Sequence, residues 1–362
     1  MPLKVVPDGF CDHGIYAFES NVVVFELLVK HFQMLRARAG HHCHAAAFSR
    51  CFFHAEWSFR MRKLLGIALV MLASSQASAG LIYAAYTGSQ NGVTVRDSET
   101  FEQLHNFNLA FAVDRITAGN DSLYLSSGNH IYRYSTSGQR LNSFDFGTPV
   151  NYGDISFAGP DFYTAYTFGR FNGVTVRDSV TLQQSNFFSL DFVVDGIGAG
   201  KAGEMYLSSA NQLFRYSDSG TQLAQMTFPS PSIEYGGISY SASSDRIYVA
   251  YDGIPGGITV RDAGDLEQIS FFQLDFVVND LVAGLFSDLY LTSGNSIYRY
   301  RDDGEELGRF TFPDSGIVYQ GIAFMDPASI PVPEPGTLGL LLAALGALAL
   351  VGRRRAHGGF GA

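Results

Sequence analysis

A long unit repeats three times in the sequence, and this repetition restricts the possible folds more than any other feature. The motif NGVTVRD at Asn91–Asp97 recurs at 172–178 and, as GGITVRD, at Gly256–Asp262, so the copies begin 81 and 84 residues apart. Each unit divides into two related halves of about 40 residues, the period of a four-stranded propeller blade. The sequence therefore predicts an all-β fold, a six-bladed β-propeller over residues 80–330.

Short apolar and β-branched runs, separated by Gly, Asn, Ser and Asp, indicate strands and tight turns. Asn-Gly pairs at 91–92 and 172–173 predict type I′ hairpin turns, which need two residues that tolerate positive φ. The first half unit, 81–109, holds only three predicted strands, and one predicted strand, 321–324, is left over at the end. Pairing them completes the sixth blade and removes two exposed strand edges, so we predict a closed ring.

Residues 61–79 are typical of a secretory signal peptide. Met61 is followed by two basic residues, then an apolar run and the small-x-small pattern of Ala77 and Ala79, at which signal peptidase cleaves. Cleavage after Ala79 makes Gly80 the first residue of the exported protein.

The position of this signal peptide bears on residues 1–60. A signal peptide normally begins a protein, so Met61 is predicted to be the true start and residues 1–60 a mis-assigned upstream extension, expected to be disordered. The alternative is a genuine N-terminal segment followed by an internal transmembrane helix at 61–79. The two interpretations differ in whether peptides from 1–60 occur in the mature protein.

The residues after the repeats have a different composition. A Pro-Glu-Pro triplet precedes an apolar run at 337–352, three arginines and a tail at 356–362. About sixteen apolar residues at ~1.5 Å each span roughly 24 Å of a hydrocarbon core about 30 Å thick, which predicts a marginal transmembrane helix. Arginines beside such a helix are expected to stay cytoplasmic, so the repeats lie on the other side of the membrane. The alternative is a plain C-terminal anchor that is never processed.

These features together resemble a PEP-CTERM sorting signal of exopolysaccharide-producing Gram-negative bacteria. The residues that carry the resemblance are Pro333, Glu334, Pro335, Arg353, Arg354 and Arg355, with the apolar run between them. The resemblance implies export with the help of signal peptidase, transient insertion into the inner membrane and recognition by an exosortase. Processing and delivery to the cell surface or extracellular matrix then follow. The GVTVRDS half units also resemble YVTN and quinoprotein-like propellers, which implies a fold but no activity.

The charge of the repeat region excludes one class of partner. Residues 80–330 contain 28 Asp and Glu against 13 Lys and Arg, a net charge of −15. Nucleic-acid binding needs a basic surface, so no nucleic acid is expected among the partners. The region has no G-x-S-x-G, P-loop or H-E-x-x-H motif, and His105 and His130 are too few for a histidine metal centre. We therefore name no catalytic residue.

One set of candidate ligands follows from the repeat symmetry. Aligning DRITAG, DGIGAG and NDLVAG on their final glycines places Asp114, Asp195 and Asn279 at equivalent positions before inner strands, beside the predicted central channel. Asp154 precedes another inner strand and is a possible fourth member. Oxygen ligands that converge there would suit Ca²⁺, a hard cation. The alternative is that these side chains satisfy backbone groups in the turns that enter the strands.

Two further groups are candidates for ligand binding. Arg96, Arg177 and Arg261, in the three VRD triplets, form either a polar ligand-binding belt or ion pairs and hydrogen bonds between blades. Irregular loops on a rigid scaffold are a common place for binding residues. Arg170 and Phe171, in the loop TFGRFNG, are therefore predicted to contact a ligand.

These observations favour an exported, non-enzymatic propeller of the cell surface or extracellular matrix. Its expected partner is an exopolysaccharide or a surface protein, and no cofactor is expected. The alternative is a secreted, calcium-dependent hydrolase or lactonase with its site at the channel mouth. A tight cluster of inward carboxylates with a general base would favour the enzyme, and a channel lined by Gly, Ser and apolar residues would favour binding.

Overall fold

A computed structural model describes residues 80–326 of the chain, apart from 148–149, 202, 231 and 254. In this part of the chain 24 strands form six four-stranded antiparallel sheets. A 3₁₀ turn at Leu285–Ser287 is the sole helical element among the same residues. The predictions for the residues before 80 and after 330 lie outside the described part.

Each sheet is one blade, and its strands are numbered along the chain and named from the innermost to the outermost. Blade 1 contains β24 (Ile317–Met325), β1 (Leu81–Gly88), β2 (Asn91–Asp97) and β3 (Gln103–Leu109). Blade 2 contains β4 (Arg115–Gly119), β5 (Ser122–Ser127), β6 (His130–Ser135) and β7 (Arg140–Asp145). Blade 3 contains β8 (Asn151–Ala158), β9 (Asp161–Phe168), β10 (Phe171–Asp178) and β11 (Gln184–Leu190).

The remaining blades have the same order. Blade 4 contains β12 (Gly196–Ala199), β13 (Glu204–Ser209), β14 (Gln212–Ser217) and β15 (Gln222–Thr227). Blade 5 contains β16 (Glu234–Ser241), β17 (Arg246–Asp252), β18 (Gly256–Asp262) and β19 (Gln268–Leu274). Blade 6 contains β20 (Asp280–Ala283), β21 (Asp288–Ser293), β22 (Ser296–Arg301) and β23 (Glu306–Thr311).

The inner strands close a ring, as the sequence predicted. Strands β4, β8, β12, β16, β20 and β24 contact one another in this order, and β24 contacts β4. Within blade 1, β24 pairs with β1 so that Met325 lies opposite Leu81 and Ile317 opposite Gly88. The closing strand is longer than the predicted 321–324 because the ladder continues past a β-bulge after Ala85. The six-bladed, circularly closed propeller is therefore confirmed.

The Asn-Gly pairs do not form the predicted hairpin turns, so that prediction is wrong. Residues 89–90 make the turn between β1 and β2, and residues 169–170 make the turn between β9 and β10. Gly92 and Gly173 lie inside strands. A Cβ atom on Gly92 would lie 2.5 Å from the hydroxyl oxygen of Tyr86, so glycine here lets an aromatic side chain pack on the strand backbone.

The hydrophobic core is divided among the interfaces between neighbouring blades. Six clusters of buried side chains occur in the described residues, one at each interface. Between blades 6 and 1, for example, the rings of Tyr290 and Phe324 stack with centroids 5.7 Å apart. Because every cluster needs side chains from two blades, no blade buries its apolar face alone, and the closed ring is the folding unit.

The VRD arginines are buried structural groups, and Arg177 has no exposed surface. Each one donates from its guanidinium to the carbonyl oxygen of a residue five positions later, at 2.7 to 2.9 Å. The pairs are Arg96 with Phe101, Arg177 with Leu182, and Arg261 with Leu266. These acceptor residues have φ values of 58°, 62° and 65°, so the arginines hold left-handed turn residues in place.

Two of these arginines also join blades. The guanidinium of Arg96 lies 3.4 Å from the ring centroid of Phe310 in blade 6, and that of Arg177 lies 4.0 Å from Phe144 in blade 2. The aspartate of each triplet accepts bonds from the same turn: Asp97, for instance, accepts the backbone N–H of Thr100 at 2.8 Å. Of the two interpretations of the VRD triplets, the structure supports bonds within and between blades.

The two ends of the propeller are formed by different loops. Each blade contains four antiparallel strands, consecutive in the chain except where β24 joins β1–β3. Every inner strand therefore begins at one end of the ring, which we call the top face, and finishes at the other, the bottom face. The connections into inner strands, such as 110–114 before β4, lie on the top face. Gly80, at the start of β1, Asp326, after β24, and the loop 284–287 after β20 lie on the bottom face.

Candidate functional site

The inner strands enclose a cavity of about 180 Å³ in the channel, large enough for several water molecules. Each strand contributes an Ile or Leu to its wall: Ile116, Ile155, Ile197, Ile238, Leu281 and Ile322. The hydroxyl-bearing side chains that also line it are Thr117, Ser156, Ser239 and Tyr240. All six blades thus contribute to an apolar ring in the wall, whereas only some blades contribute polar groups.

Charged side chains occupy the positions one residue before this apolar ring. They are Arg115 on β4, Asp154 on β8 and Asp280 on β20, and the equivalent positions in the other three blades are Gly196, Gly237 and Gly321. A Cβ atom on Gly237 would lie 3.2 Å from Oδ1 of Asp280. Glycines therefore leave the space that the charged side chains need.

Each of the two aspartates joins its own inner strand to the next one. Oδ1 of Asp154 accepts the backbone N–H of Ile155 at 2.8 Å, and Oδ2 accepts that of Ile197 in blade 4 at 2.9 Å. Oδ1 of Asp280 accepts the N–H of Leu281, and Oδ2 accepts that of Ile322 in blade 1, both at 2.9 Å. Blades 3 and 6 are opposite each other, so the two carboxylates tie the ring together on opposite sides.

Arg115 supplies the positive charge of this group. Its Nε lies 3.7 Å from Oδ1 of Asp154, and its Nη1 donates to the carbonyl oxygens of Asp114 at 2.9 Å and Gln320 at 3.4 Å. Burial lowers the pKa of Arg115, but the charges of Asp154, Asp280 and Asp114 outweigh it, so the pKa is raised overall. The arginine therefore stays charged and bonds blade 2 to blade 1.

The two aspartates have raised pKa values because they are removed from water. Burial raises the pKa of Asp154, while Arg115 and the two N–H donors oppose the rise. Burial, and then the charge of Asp154, raise the pKa of Asp280 to about 7, again opposed by Arg115. One arginine thus faces two carboxyl groups, and Asp280 can hold a proton close to neutral pH.

The residues predicted to form a calcium site are not brought together. Oδ2 of Asp114 accepts the N–H of Gly128 at 2.7 Å, and Oδ2 of Asp195 accepts the N–H of Ala210 at 2.8 Å. The amide of Asn279 donates to the carbonyl oxygen of Tyr319 at 2.8 Å. Asp114 and Asp195 thus bond to turns of their own blades, whereas Asn279 bonds to the closing strand of the neighbouring blade 1.

Asp154 lines the channel cavity, and its carboxylate accepts the N–H groups of Ile155 and Ile197. Across residues 80–326, outside the five positions excluded from the description, no three His, Cys, Asp or Glu side chains are grouped so that they could hold a metal ion. Calcium binding stays a prediction.

Arg170 lies in the exposed turn at 169–170, whereas Phe171, predicted to be in a loop, is the first residue of β10. They belong to the hairpin between β9 and β10 on the top face, and the guanidinium of Arg170 is 5.6 Å from the ring centroid of Phe171. The ring is 57% exposed, and Phe168 on the other side of the turn is also exposed. The hairpin connects the second and third strands of its blade, so it lies outside the inner ring.

Sequence reasoning missed Arg115 and Asp280. Both occur in the column immediately after Asp114, Asp195 and Asn279 in the same repeat alignment, where the third residue is Gly196. A charged residue in two of three repeats, followed each time by Ile or Leu, is a readable signal for a position facing the channel.

Residues 331–355 match the family model described as the PEP-CTERM protein-sorting motif. The chain carries a PEP-CTERM sorting motif. It includes all six residues that carry the resemblance, from Pro333 to Arg355, and these lie outside the described part of the structure. A PEP-CTERM motif implies export, C-terminal anchoring and processing by an exosortase, so this propeller is a secreted surface protein.

The structure describes only the residue that follows the predicted signal peptidase cleavage point. Ala77 and Ala79 lie outside the described residues, whereas Gly80 begins them and its carbonyl oxygen accepts the N–H of Ser98 at 2.9 Å. The predicted membrane segment 337–352 also lies outside them. Within the described residues of 80–326, no helix is long and apolar enough to cross a bilayer.

The propeller of this PEP-CTERM protein is similar to solved structures at low sequence identity. One is the crystal structure of a protein of unknown function from Bacteroides caccae, with a TM-score of 0.52 and 9% identity, covering 68% of this chain and 99% of that one. Another belongs to a nidogen/laminin complex, with a TM-score of 0.55 and 13% identity, covering 68% and 98%. These likenesses show the fold alone. No curated protein sequence matches the chain.

Proposed function

We propose that this PEP-CTERM propeller is a non-enzymatic binding protein of the cell surface or extracellular matrix, with its ligand on the top face. The observation that supports the proposal is that the buried aspartates of the channel are already engaged in backbone hydrogen bonds. All four oxygens of Asp154 and Asp280 accept backbone N–H bonds, and one oxygen of each side chain bonds to the neighbouring blade. Carboxylates engaged in this way stabilise the ring, and the ligand is left to the exposed loops.

The top face supplies exposed apolar side chains for such a ligand. Phe168 and Phe171 flank the hairpin between β9 and β10, and Val193 and Val277 lie in connections that lead into inner strands. Rigid aromatic rings beside Arg170 offer both a flat apolar surface and a cationic donor. Apolar surface with a few polar groups is the usual composition of a binding site.

The negative charge of the propeller narrows the chemistry of the ligand. A net charge of −15 over residues 80–330 repels polyanions at moderate ionic strength. We therefore favour a neutral polysaccharide, such as an exopolysaccharide of the producing cell, or a surface protein. The calcium-dependent hydrolase or lactonase remains the alternative prediction.

A pull-down with matched variants tests the proposal. The ring closes on itself between Gly80 and Asp326, so immobilised residues 80–330 can be incubated with polysaccharide and surface proteins of the producing cell. Phe171 on the top face and Phe187 on the side of blade 3 are both 57% exposed, which makes F187S a control for F171S. We expect F171S to reduce capture at least tenfold and F187S to leave it unchanged.

Other outcomes would contradict the proposal. Equal capture by F171S and the unchanged protein would exclude the top-face hairpin as the binding surface. Capture that needs Ca²⁺ and is accompanied by turnover of a lactone or glycoside would favour the enzyme instead.

A further inference from the structure

Phe286 is the most exposed of the large apolar side chains in the described residues, at 90%. It lies in the loop 284–287 between β20 and β21, on the bottom face of blade 6. A side chain this exposed contributes nothing to the core of the folded chain. Single exposed apolar side chains are common on proteins, so a partner is inferred here from the backbone and the place of this residue.

The backbone of the loop holds this ring outwards in an unfavourable conformation. Phe286 has φ 54° and ψ 33°, and Ser287 has φ 68°, so two consecutive residues with side chains adopt the left-handed region. The base of the loop is well held, because Gly284 donates its N–H to the carbonyl oxygen of Asp288 at 2.8 Å. Conformations of this kind concentrate at functional sites.

The equivalent loops of other blades show that the turn itself does not need an aromatic residue. In blade 2 the left-handed residues are Asn120 and Asp121, with φ 45° and 58°, and in blade 5 the corresponding residue is Asp245, with φ 54°. Asn and Asp adopt this conformation with less strain than Phe. The aromatic residue is therefore a departure from the repeat at one blade.

That blade is the one beside the point where the chain leaves the propeller. Tyr290, just after the loop, stacks on Phe324 near the end of β24, and the described chain ends at Asp326 on the same face. The PEP-CTERM motif begins at 331, and the apolar run begins at 337, eleven residues after 326. Eleven residues span at most about 40 Å, so anchoring keeps the end of β24 within that distance of the bilayer and brings the bottom face within reach of it.

We propose that Phe286 inserts into the bilayer interface while the chain is anchored through its PEP-CTERM motif. A single aromatic side chain binds lipid too weakly to hold a free protein, but the anchor raises its effective concentration at the membrane. Insertion turns the bottom face to the lipid and the top face away from it. The inference concerns the face opposite the proposed ligand site and does not depend on that site.

Most of the charges around the loop are paired. Asp302, Asp303 and Glu305 lie in the neighbouring bottom-face turn of blade 6. Asp302 pairs with Arg246, and Glu305 pairs with Arg301. Vesicles of zwitterionic phosphatidylcholine therefore test the apolar contact without a contribution from charged headgroups.

Tryptophan fluorescence in the anchored full chain tests the inference. Trp57 is the only tryptophan in the sequence, so W57F removes all tryptophan fluorescence. Adding F286W, or F171W on the opposite face, to W57F then gives a protein with a single tryptophan probe. Both positions are exposed, so both variants should fold. In phosphatidylcholine vesicles, brominated lipid should quench F286W at least twofold and leave F171W unquenched, and removal of residues 331–362 should abolish the quenching.

Three results would overturn the inference. Absence of quenching at F286W in the anchored chain would show that the ring does not reach the lipid. Equal quenching of F286W and F171W would show that the propeller has no preferred orientation. A blue shift of F286W that grows with protein concentration without vesicles would show that a second copy, and not lipid, covers the residue.

Discussion

The carboxylate of Asp280 accepts a hydrogen bond, at 2.9 Å, from the backbone N–H of Ile322, a residue on the strand that closes the ring. A buried acidic side chain in blade 6 thus holds the last strand of the propeller in blade 1. Asp154 makes the same kind of bond to Ile197 on the opposite side of the channel. These two contacts are why the channel charges are expected to control stability.

Stability should depend on pH through Asp280. Its pKa rises from the ordinary 3.8 to about 7 in the folded protein, because burial and then the charge of Asp154 disfavour ionisation. The folded protein therefore binds this proton more tightly than the unfolded chain, and its stability falls as the pH rises from about 4 to about 7. We expect the unchanged protein to have a higher free energy of unfolding in urea than D280N. This difference should be larger at pH 5 than at pH 8.

Asp314 provides the control for this measurement. Its pKa is lowered by the N–H of Gly316 and the hydroxyl of Ser89, so its protonation should contribute little between pH 5 and pH 8. D314N should show the same difference from the unchanged protein at both pH values. If the difference between D280N and the unchanged protein were also the same at pH 5 and pH 8, proton binding by Asp280 would not contribute to stability in this range.

Arg177 should be important for stability. R177M removes the bond to the carbonyl oxygen of Leu182 and the stacking on Phe144 of blade 2, and it leaves a buried oxygen without its donor. We expect a loss of about 2 to 4 kcal/mol in the free energy of unfolding. R170M, at an exposed arginine seven residues earlier, should change it by less than about 0.5 kcal/mol. Similar losses in both variants would contradict this assignment.

Removing most of the closing strand should open the ring. Deletion of residues 319–327 removes most of the strand that pairs with β1. It also removes the carbonyl oxygen of Tyr319 and the N–H of Ile322, which bond to Asn279 and Asp280 of blade 6. Two strand edges are then exposed, and we expect aggregation in size-exclusion chromatography. A monomer with the melting temperature of the intact propeller would disprove the closure mechanism.

Glu334 is predicted to be needed for processing but not for membrane targeting. In E334A the apolar run and the three arginines remain, so insertion should continue, whereas exosortase should no longer process the motif. Intact-mass measurement should then find the full C terminus in the inner membrane. E305A, in the propeller, is the control. A surface form of the unchanged protein that still carries residues 353–362 would show a permanent anchor.

The mature protein is predicted to begin at Gly80. The small-x-small pattern of Ala77 and Ala79 predicts cleavage after Ala79, in a signal peptide predicted to start at Met61. N-terminal sequencing of the exported form should therefore read Gly-Leu-Ile-Tyr. Recovery of peptides with Cys43 or Trp57 from that form would favour the genuine N-terminal segment.

The blade count, the circular closure and the sorting motif could be predicted from the sequence. A repeat of about 40 residues and a leftover strand at 321–324 are patterns along the chain, and so is a Pro-Glu-Pro triplet before an apolar run. The repeat pattern occurs in each copy of the unit. They are readable because local alternation of apolar residues decides that strands form, whatever their partners are.

Other features depend on contacts between residues far apart in the chain. Asp154 and Asp280 are 126 positions apart and share Arg115 because three inner strands meet at the channel. The sequence predicts Gly92 in a turn, yet it lies inside β2, opposite Tyr86, whose side chain packs over it. Strand register and blade contacts are set by tertiary packing. The sequence by itself therefore determined which strands form, and only the closed ring decided which side chains meet in its channel.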